Sequence, residues 1–498
     1  MLSLKLNLFP SPISRWIDNV ISNSLATEPH WIIRAIYARA VACTIFPLSL
    51  INNIVYLGFL LVKSFIKKMC GLQKTPTNYK EIFYHLGATI IGFIAFPLGL
   101  IAPDIVSYHF LEVQTNRAST DFGKLDHIHG KHVFPKSIQE VIDILQDAHN
   151  NHKTVAVSGN QFSQGGQTLP QEDGIFLHMS SFKEITLSPD KNVATVGAGV
   201  TWEELQKAID PFKKAVQVMQ ASNIFTVGGS LAANVHGWDH RHGSLAETVE
   251  SITFIDGKGV LHKDITRNSP LFKLMLGGYG TLGVIVEAKI KLAKNHVLKK
   301  KGKILSLEEY IQTFANTIKN NKEIKLHYGR IALGPNENFD KILMVNYYKT
   351  NKPVNILQSL PKETNSPFER ICLHILRRLP FLKKIKQWYD NRKYTKKEIL
   401  TRNQAMQPKI KYITPHASNH DLDLLQEYFI PKNHLKKFLS DLNVLVKNNN
   451  LNIINATIRY VKKDFISIMP YANEDCFSIV LYLNSKRDAD TLQKVKKV

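Results

Sequence analysis

The spacing of apolar and polar positions changes several times along this chain, and each change marks a different kind of element. Val41 to Val62 and Leu86 to Pro103 are two runs without a charged side chain. Roughly 20 apolar residues cross a bilayer core as a helix, so both runs are expected to be membrane segments, the second narrowly. Similar strings recur in them, IFPLSLI from Ile45 to Ile51 and AFPLGLI from Ala95 to Ile101. The proline in each would kink a helix or make the segment re-entrant. A pair of buried helices in a soluble protein is the alternative. Between the runs stand Lys63, Lys67, Lys68, Lys74 and Lys80 against Glu81, whereas Arg34 and Arg39 precede the first. These two groups give opposite orientations, so the side of the membrane stays open. Residues 1–125 are thus read as a membrane-associated region.

Beyond a polar connector the pattern becomes that of a folded domain. Ile138, Val141, Ile142, Leu145 and Ala148 follow a helical period, and the strand-like TVAVSG comes next. Thr201 and Glu204 stand three apart, a capping box that opens another helix. TVESITFIDGKGVLH is two strand-like runs around Asp256-Gly257 and Gly259, a hairpin signal. Two glycine pairs, Gly228-Gly229 and Gly277-Gly278, are flanked by small and apolar residues. Backbone without a Cβ can approach a bulky anion such as a diphosphate closely. Gly278, Gly280 and Gly283 also spell G-x-G-x-x-G. That fingerprint belongs between a strand and a helix, but here it follows helical SPLFKLML and opens onto strand-like VIVEAKIKL. A Rossmann domain is therefore excluded.

Further on, LSLEEYIQTFANTI (Leu305 to Ile318) reads as one amphipathic helix, and HYGRIALG and ILMVNYYK read as strands. Pro367 to Leu400 is basic with interleaved Ile, Leu, Phe and Trp. It is either a solvated loop or a segment lying on anionic lipid. The 64 Lys+Arg against 41 Asp+Glu, a net charge of +23, favour acidic partners or an anionic membrane surface. No zinc spacing, RNA-binding motif or basic-aromatic platform supports nucleic acid as that partner. Cys43, Cys70, Cys372 and Cys476 are too scattered for a disulfide framework or a metal site. The run HGWDHRHGS carries His236, His240 and His242, but Gly237 and Gly243 place them on a loop without a matching carboxylate or cysteine cluster. No metal is expected.

Three blocks then occur in a characteristic order. They are VAVSGNQFSQGGQ (Val155 to Gln167), TVGGSLAANVHG (Thr226 to Gly237) and LGGYGTLGVIVEAKIKL (Leu276 to Leu292), with VFPKSIQEVIDILQDA upstream. From about Val133 to Leu292 the chain resembles the flavin domain of the vanillyl-alcohol oxidase / p-cresol methylhydroxylase superfamily, the FAD-binding PCMH type. The middle block is most similar to the sugar-alcohol and aldonolactone oxidases and to the decaprenylphosphoryl-ribose oxidase branch.

The resemblance implies an α+β protein. A two-subdomain FAD-binding domain would cover residues 126–293 and an α+β substrate cap residues 294–498, behind an N-terminal hydrophobic helical hairpin. It places Gly159, Asn160, Gln161, Phe162 and Ser163 around the diphosphate and ring. Thr226, Gly228, Gly229, Ser230, Asn234, His236 and Gly237 would surround phosphates and ring, with Gly283, Val284 and Ile285 at the adenine end. Many relatives carry a histidine just before the serine, tethering the flavin. Phe162 stands there, so a non-covalent FAD is expected. In the cap, Arg459 fits a substrate-contacting arginine, and Thr457 stands where a glutamate would be. Arg459 and His236 are the candidate catalytic residues. The sequence stops inside what looks like the last cap helix, so the cap is expected to be shortened.

The function implied is a membrane-associated FAD-dependent oxidoreductase, similar to D-arabinono-1,4-lactone oxidase. It would take hydride from a CH–OH carbon of a polyol, sugar lactone or sugar-lipid, with membrane lipid and a small or lipid-linked sugar as partners. The alternatives are an FAD-dependent sterol or lipid double-bond reductase and a non-catalytic flavin-binding membrane protein. The electron acceptor stays open.

Overall fold

Period-two alternation broken by glycine turns builds three β-sheets in the computed structural model, which describes residues 128–334, 337–354, 360, 367–407 and 421–486. Both uncharged runs, Val41 to Val62 and Leu86 to Pro103, lie outside these residues, as does the chain from 487 onward. Among the described residues no helix is long and apolar enough to cross a membrane.

The first sheet is parallel, with β1 (Gly130–Val133), β2 (Val155–Ser158) and β3 (Gly174–His178) in the order β1-β3-β2. Parallel neighbours need crossovers, and helix Ile138–Asn150 supplies one. Ser137 caps it by accepting from the Glu140 N–H, and it buries Val141, Leu145 and Ala148, the face that the spacing predicts.

The second sheet is antiparallel. It holds β4 (Ile185–Leu187), β5 (Val193–Gly197), β6 (Lys214–Val216), β7 (Val249–Asp256), β8 (Leu261–Thr266) and β9 (Gly283–Lys294). The order is β4-β5-β9-β7-β8, with β6 against the far end of β9. β7 and β8 are the hairpin read around Asp256-Gly257. The capping box is present: the Thr201 side chain and Glu204 satisfy each other's backbone N–H at the start of helix Trp202–Ile209. Gly278 and Gly280 lie between helix Pro270–Met275 and β9, and Gly283 opens β9, so the G-x-G-x-x-G string has the inverted context. A Cβ on Gly283 would lie 2.4 Å from the Ile255 carbonyl oxygen, so glycine there serves strand packing.

The third sheet is antiparallel and seven-stranded. Its strands are β10 (Val297–Ser306), β11 (Ile324–Ile331), β12 (Lys341–Lys349), β13 (Glu398–Thr401), β14 (Asp421–Pro431), β15 (Asn452–Val461) and β16 (Cys476–Lys486). They run β13-β10-β12-β11-β15-β16-β14. The segment read as one helix from Leu305 to Ile318 is instead the end of β10, a short helix Leu307–Thr313 and a π-turn Phe314–Ile318. The wider π-turn keeps both Phe314 and Ile318 buried. That apolar side packs with helix Leu435–Asn448 on the sheet. A second core is continuous across the seam between sheets, joining Trp202, Val249 and Ile290 to Leu326, Tyr328 and Val345.

A buried polar knot closes the same seam. Asp239 is buried, and so is Arg402, which follows β13. Arg402 Nη2 lies 3.1 Å from Asp239 Oδ2 and donates to the Gln217 carbonyl at 2.6 Å; its Nε donates to the Val216 carbonyl. Arg241 grips Asp239 through Nε and Nη2 at 2.7 and 2.6 Å. Next door, Asn403 Nδ2 donates to Asp210 at 2.8 Å. Removing one partner of a buried pair costs about 3–5 kcal/mol because the other charge is left uncompensated. Arg402→Met is therefore expected to lower stability by about 3 kcal/mol, the low end because Arg241 still faces Asp239. Urea unfolding checks this, and a loss of a few tenths would show that the knot does not hold the seam.

Candidate active site

The glycine-rich blocks meet through backbone contacts that side chains would obstruct. The loop after β2, residues 159–167, packs on the start of helix Val227–Ala232. A Cβ on Gly159 would lie 2.1 Å from Thr226 Oγ1. Asn160 Nδ2 donates to the Ile224 carbonyl at 2.6 Å, Gln161 takes a left-handed φ of 55°, and Ser163 Oγ meets Thr168 Oγ1 at 2.8 Å. The Phe162 ring lies 5.0 Å from that of Phe225. Thr226 caps the helix, its Oγ1 accepting from the Gly229 N–H. A Cβ on Gly228 would lie 2.7 Å from that of Ala198. Gly277 and Tyr279, both left-handed, donate backbone N–H groups to the carbonyls of Leu231 and Ala232. Around this floor the space opens: a Cβ on Gly229 would meet only Thr226 Oγ1, and one on Gly166 nothing within 4 Å. Such a bare backbone surface fits the diphosphate of FAD.

Other residues of the same blocks have side chains with internal partners. Ser230 Oγ, buried, accepts from Trp202 Nε1 at 2.9 Å and sits 2.8 Å from the Thr226 carbonyl. Asn234 Nδ2 donates to Asp464 at 2.9 Å, while its Oδ1 accepts from the Ala246 N–H. A Cβ on Gly237 would lie 2.6 Å from the Met219 carbonyl oxygen. Val284 and Ile285 are buried β9 residues paired with Ile255 and Phe254. The side chains at these positions are engaged in internal hydrogen bonds and packing.

The catalytic candidates converge on a carboxylate that sequence reasoning missed. His236 Nε2 donates to Glu427 Oε1 at 2.7 Å, and Ser478 Oγ donates to the same oxygen. Arg459 on β15 faces Ser478 on β16, which faces Phe429 on β14, two residues from Glu427. Burial pushes the Glu427 carboxyl up, but His236, Arg459 and the Ser478 hydroxyl together pull it down to about 2. Arg459 Nε is buried without a hydrogen-bond partner, a donor still seeking an acceptor. Phe429 and Tyr471 stack at 4.4 Å and both flank the His236 ring. Tyr471 OH donates to the Asn234 carbonyl at 2.7 Å, tying this aromatic wall to the glycine floor.

Thr457, the position where the resemblance places a glutamate, faces Val480, and so does Glu427 from the other side. The carboxylate thus comes from the same row of the sheet but from another strand. Its signal in the sequence was the alternation in DLDLLQEYFIP, which puts Asp423 and Glu427 on one face of an apolar strand. The three histidines of HGWDHRHGS diverge: His236 goes to Glu427, His240 packs beside Phe314 and His327, and His242 pairs with Glu247. Among the described residues no group of three or more His, Cys, Asp or Glu is placed to hold a metal.

A depressed carboxyl contributes stability above its unfolded value, about 4.3, and loses that contribution as pH falls towards the folded value. Glu427→Gln is therefore expected to flatten the stability profile between about pH 4.3 and the folded value of about 2. Urea unfolding at fixed pH tests this, and an unchanged slope in that window would assign it to other carboxylates.

The family model of an FAD binding domain matches residues 131–264. Cytokinin dehydrogenase 2 of Arabidopsis thaliana is 33% identical over 181 residues, 35% of this chain and 36% of that protein. L-gulonolactone oxidase of Bos taurus is 25% identical over 221 residues, 44% of this chain and 48% of that protein. D-arabinono-1,4-lactone oxidase of Candida glabrata is 24% identical over 182 residues, 36% and 35% of the two chains. The chain spans less than half the length of these curated relatives. Among solved structures, a histidine-to-alanine mutant of cholesterol oxidase from Brevibacterium sterolicum superposes with a TM-score of 0.56 at 15% identity. That likeness covers 74% of this chain and 79% of the other, and it shows the fold alone. The matched domain, these relatives and the glycine floor agree: residues 131–264 form an FAD-binding domain, and the chain is similar to the vanillyl-alcohol oxidase / p-cresol methylhydroxylase superfamily, the PCMH type.

Proposed function

We propose that this protein is a membrane-associated oxidoreductase that oxidises a CH–OH group of a polyol, sugar lactone or sugar-lipid. The observation that carries this reading is the cluster of His236, Glu427 and Arg459, with a buried donor lacking an acceptor. The lactone oxidases among its relatives support the substrate class. Bound FAD supplies the hydride acceptor. Residues Gly159 to Ser163 and Thr226 to Gly229 would hold it.

The remaining steps belong to the protein's own side chains. Arg459 Nε donates to the substrate oxygen and steadies negative charge there as the C–H bond breaks. Because His236 Nε2–H points at Glu427, its Nδ1 carries the lone pair. Nδ1 takes the hydroxyl proton, and the resulting imidazolium lies between the Glu427 carboxylate and the Gly237 carbonyl, 3.5 Å away. The aromatic wall of Phe429 and Tyr471 excludes water from this proton. Phe162 offers no nucleophile, so the cofactor is held without a covalent bond.

Acid precipitation of the purified protein is expected to release yellow colour into the supernatant; colour retained in the pellet would overturn the non-covalent assignment. Arg459→Ala is expected to keep its flavin spectrum while anaerobic flavin bleaching by aldonolactones or polyols slows about 100-fold, the effect of losing one oxyanion donor. Arg459→Lys is expected to recover part of it. Unchanged bleaching would remove Arg459 from the mechanism, and bleaching by NADPH instead of alcohols would replace the oxidation by a reductase reaction.

A further inference from the structure

Helix Lys383–Thr395 is inside out. Its sheet-facing side is polar: Asp390 pairs with Lys386 at 2.6 Å and with Arg330 of β11 at 3.0 Å, and Gln387 accepts from the Leu333 N–H. Its outer side, at a spacing of three and four, is apolar: Ile385, Trp388 and Tyr389 are 63%, 62% and 55% exposed. Leu379 and Phe381 in the preceding turn extend this patch. A surface helix normally turns its apolar stripe inward, so this one is built for an occupant outside the described fold. Residues 378–397 carry eight Lys or Arg against one acid, Asp390, which faces inward. Arg392 lies 5.8 Å from the Trp388 ring and Lys393 5.9 Å from that of Tyr389, so cations rim the patch. The helix is also held closely, since a Cβ on Gly302 of β10 would lie 2.4 Å from the Tyr394 carbonyl oxygen.

We propose that this face docks on an anionic lipid bilayer, with Phe381, Ile385 and Trp388 at the acyl boundary and the surrounding cations at headgroup phosphates. Tyr and Trp beside Lys and Arg is the composition of a membrane interface. The charge is complementary to anionic lipid, and the whole chain adds to it at +23. Leu379 and Ile385 have no π-face on which a base could stack, which favours lipid over nucleic acid. The inference concerns the membrane part of the proposed function and not its redox chemistry. Flavin bleaching by a water-soluble substrate therefore fails or succeeds independently of it.

Vesicle binding alone would not test this, because the uncharged runs at 41–62 and 86–103 offer their own route into a bilayer. The local readout is Trp388. The full-length protein and its Trp388→Phe variant are reconstituted with vesicles of brominated phosphatidylcholine, with and without phosphatidylserine. The difference between the two proteins isolates the Trp388 signal. We expect that signal to shift to the blue and be quenched when phosphatidylserine is present, to weaken as salt is raised, and to vanish in Ile385→Asp. No quenching of Trp388 would overturn the proposal, as would quenching that ignores phosphatidylserine and salt. A Trp388 signal that responds to oligonucleotide and not to vesicles would overturn it in favour of nucleic acid.

Discussion

A carboxylate drawn out of water must be met by charge and hydrogen bonds, and three carboxylates in this protein take partners from both sides of the seam that follows the second sheet. Asp239 of the flavin domain takes Arg402 from beyond β13. Asp464, which follows β15, takes Asn234 and Ser244. Glu427 of β14 takes His236. All the flavin-domain members lie within the eleven residues from Asn234 to Ser244. The seam is thus stitched along one short loop, and each acid adds a partner from its own side: Arg241 for Asp239, Ser467 for Asp464 and Ser478 for Glu427.

That constraint also sets the chemistry. The loop leaves helix Val227–Ala232 through Asn234, whose left-handed φ of 46° is tolerable because its side chain is bonded at both ends. Two residues later His236 arrives with only one ring nitrogen engaged by Glu427. Glu427 holds the histidine's tautomer, and Ser478 holds Glu427. Arg459 stands near the carboxylate while its Nε stays unpartnered. Structural acids and candidate chemistry are therefore one network, in which loosening the seam would also unlatch the imidazole.

What could be read from the sequence was local. The helix after Ser137, the Thr201–Glu204 box, the hairpin at Asp256-Gly257 and the inverted glycine string depend on residues a few positions apart, and the structure contains them. Glu427 was out of reach because its partnership with His236 spans 191 positions and depends on β14 lying beside β16. Period-two alternation tells which face a side chain takes, not which strand becomes its neighbour. Arg402 likewise reads as an ordinary basic residue until its carbonyls and Asp239 are seen around it. Motif resemblance located Ser230 and Asn234 along the chain but not the partners of their side chains. The π-turn at Phe314 gave no signal, since the apolar spacing of one turn fits either helix type.

The outward-facing helix and the candidate site lie on one face of one sheet. Arg330 of β11, which holds Asp390 of that helix, is directly opposite Thr457; Thr457 is opposite Val480, and Val480 is opposite Glu427. Side chains directly opposite share a face, so this row runs from the helix to the carboxylate in three strand steps, roughly 14 Å. A bilayer seated on Ile385 and Trp388 would lie beyond the helix, on the same side of the sheet as the row that ends at Glu427. The docking proposed for the helix and the site proposed for the substrate thus lie on one face of the third sheet, while each rests on its own residues.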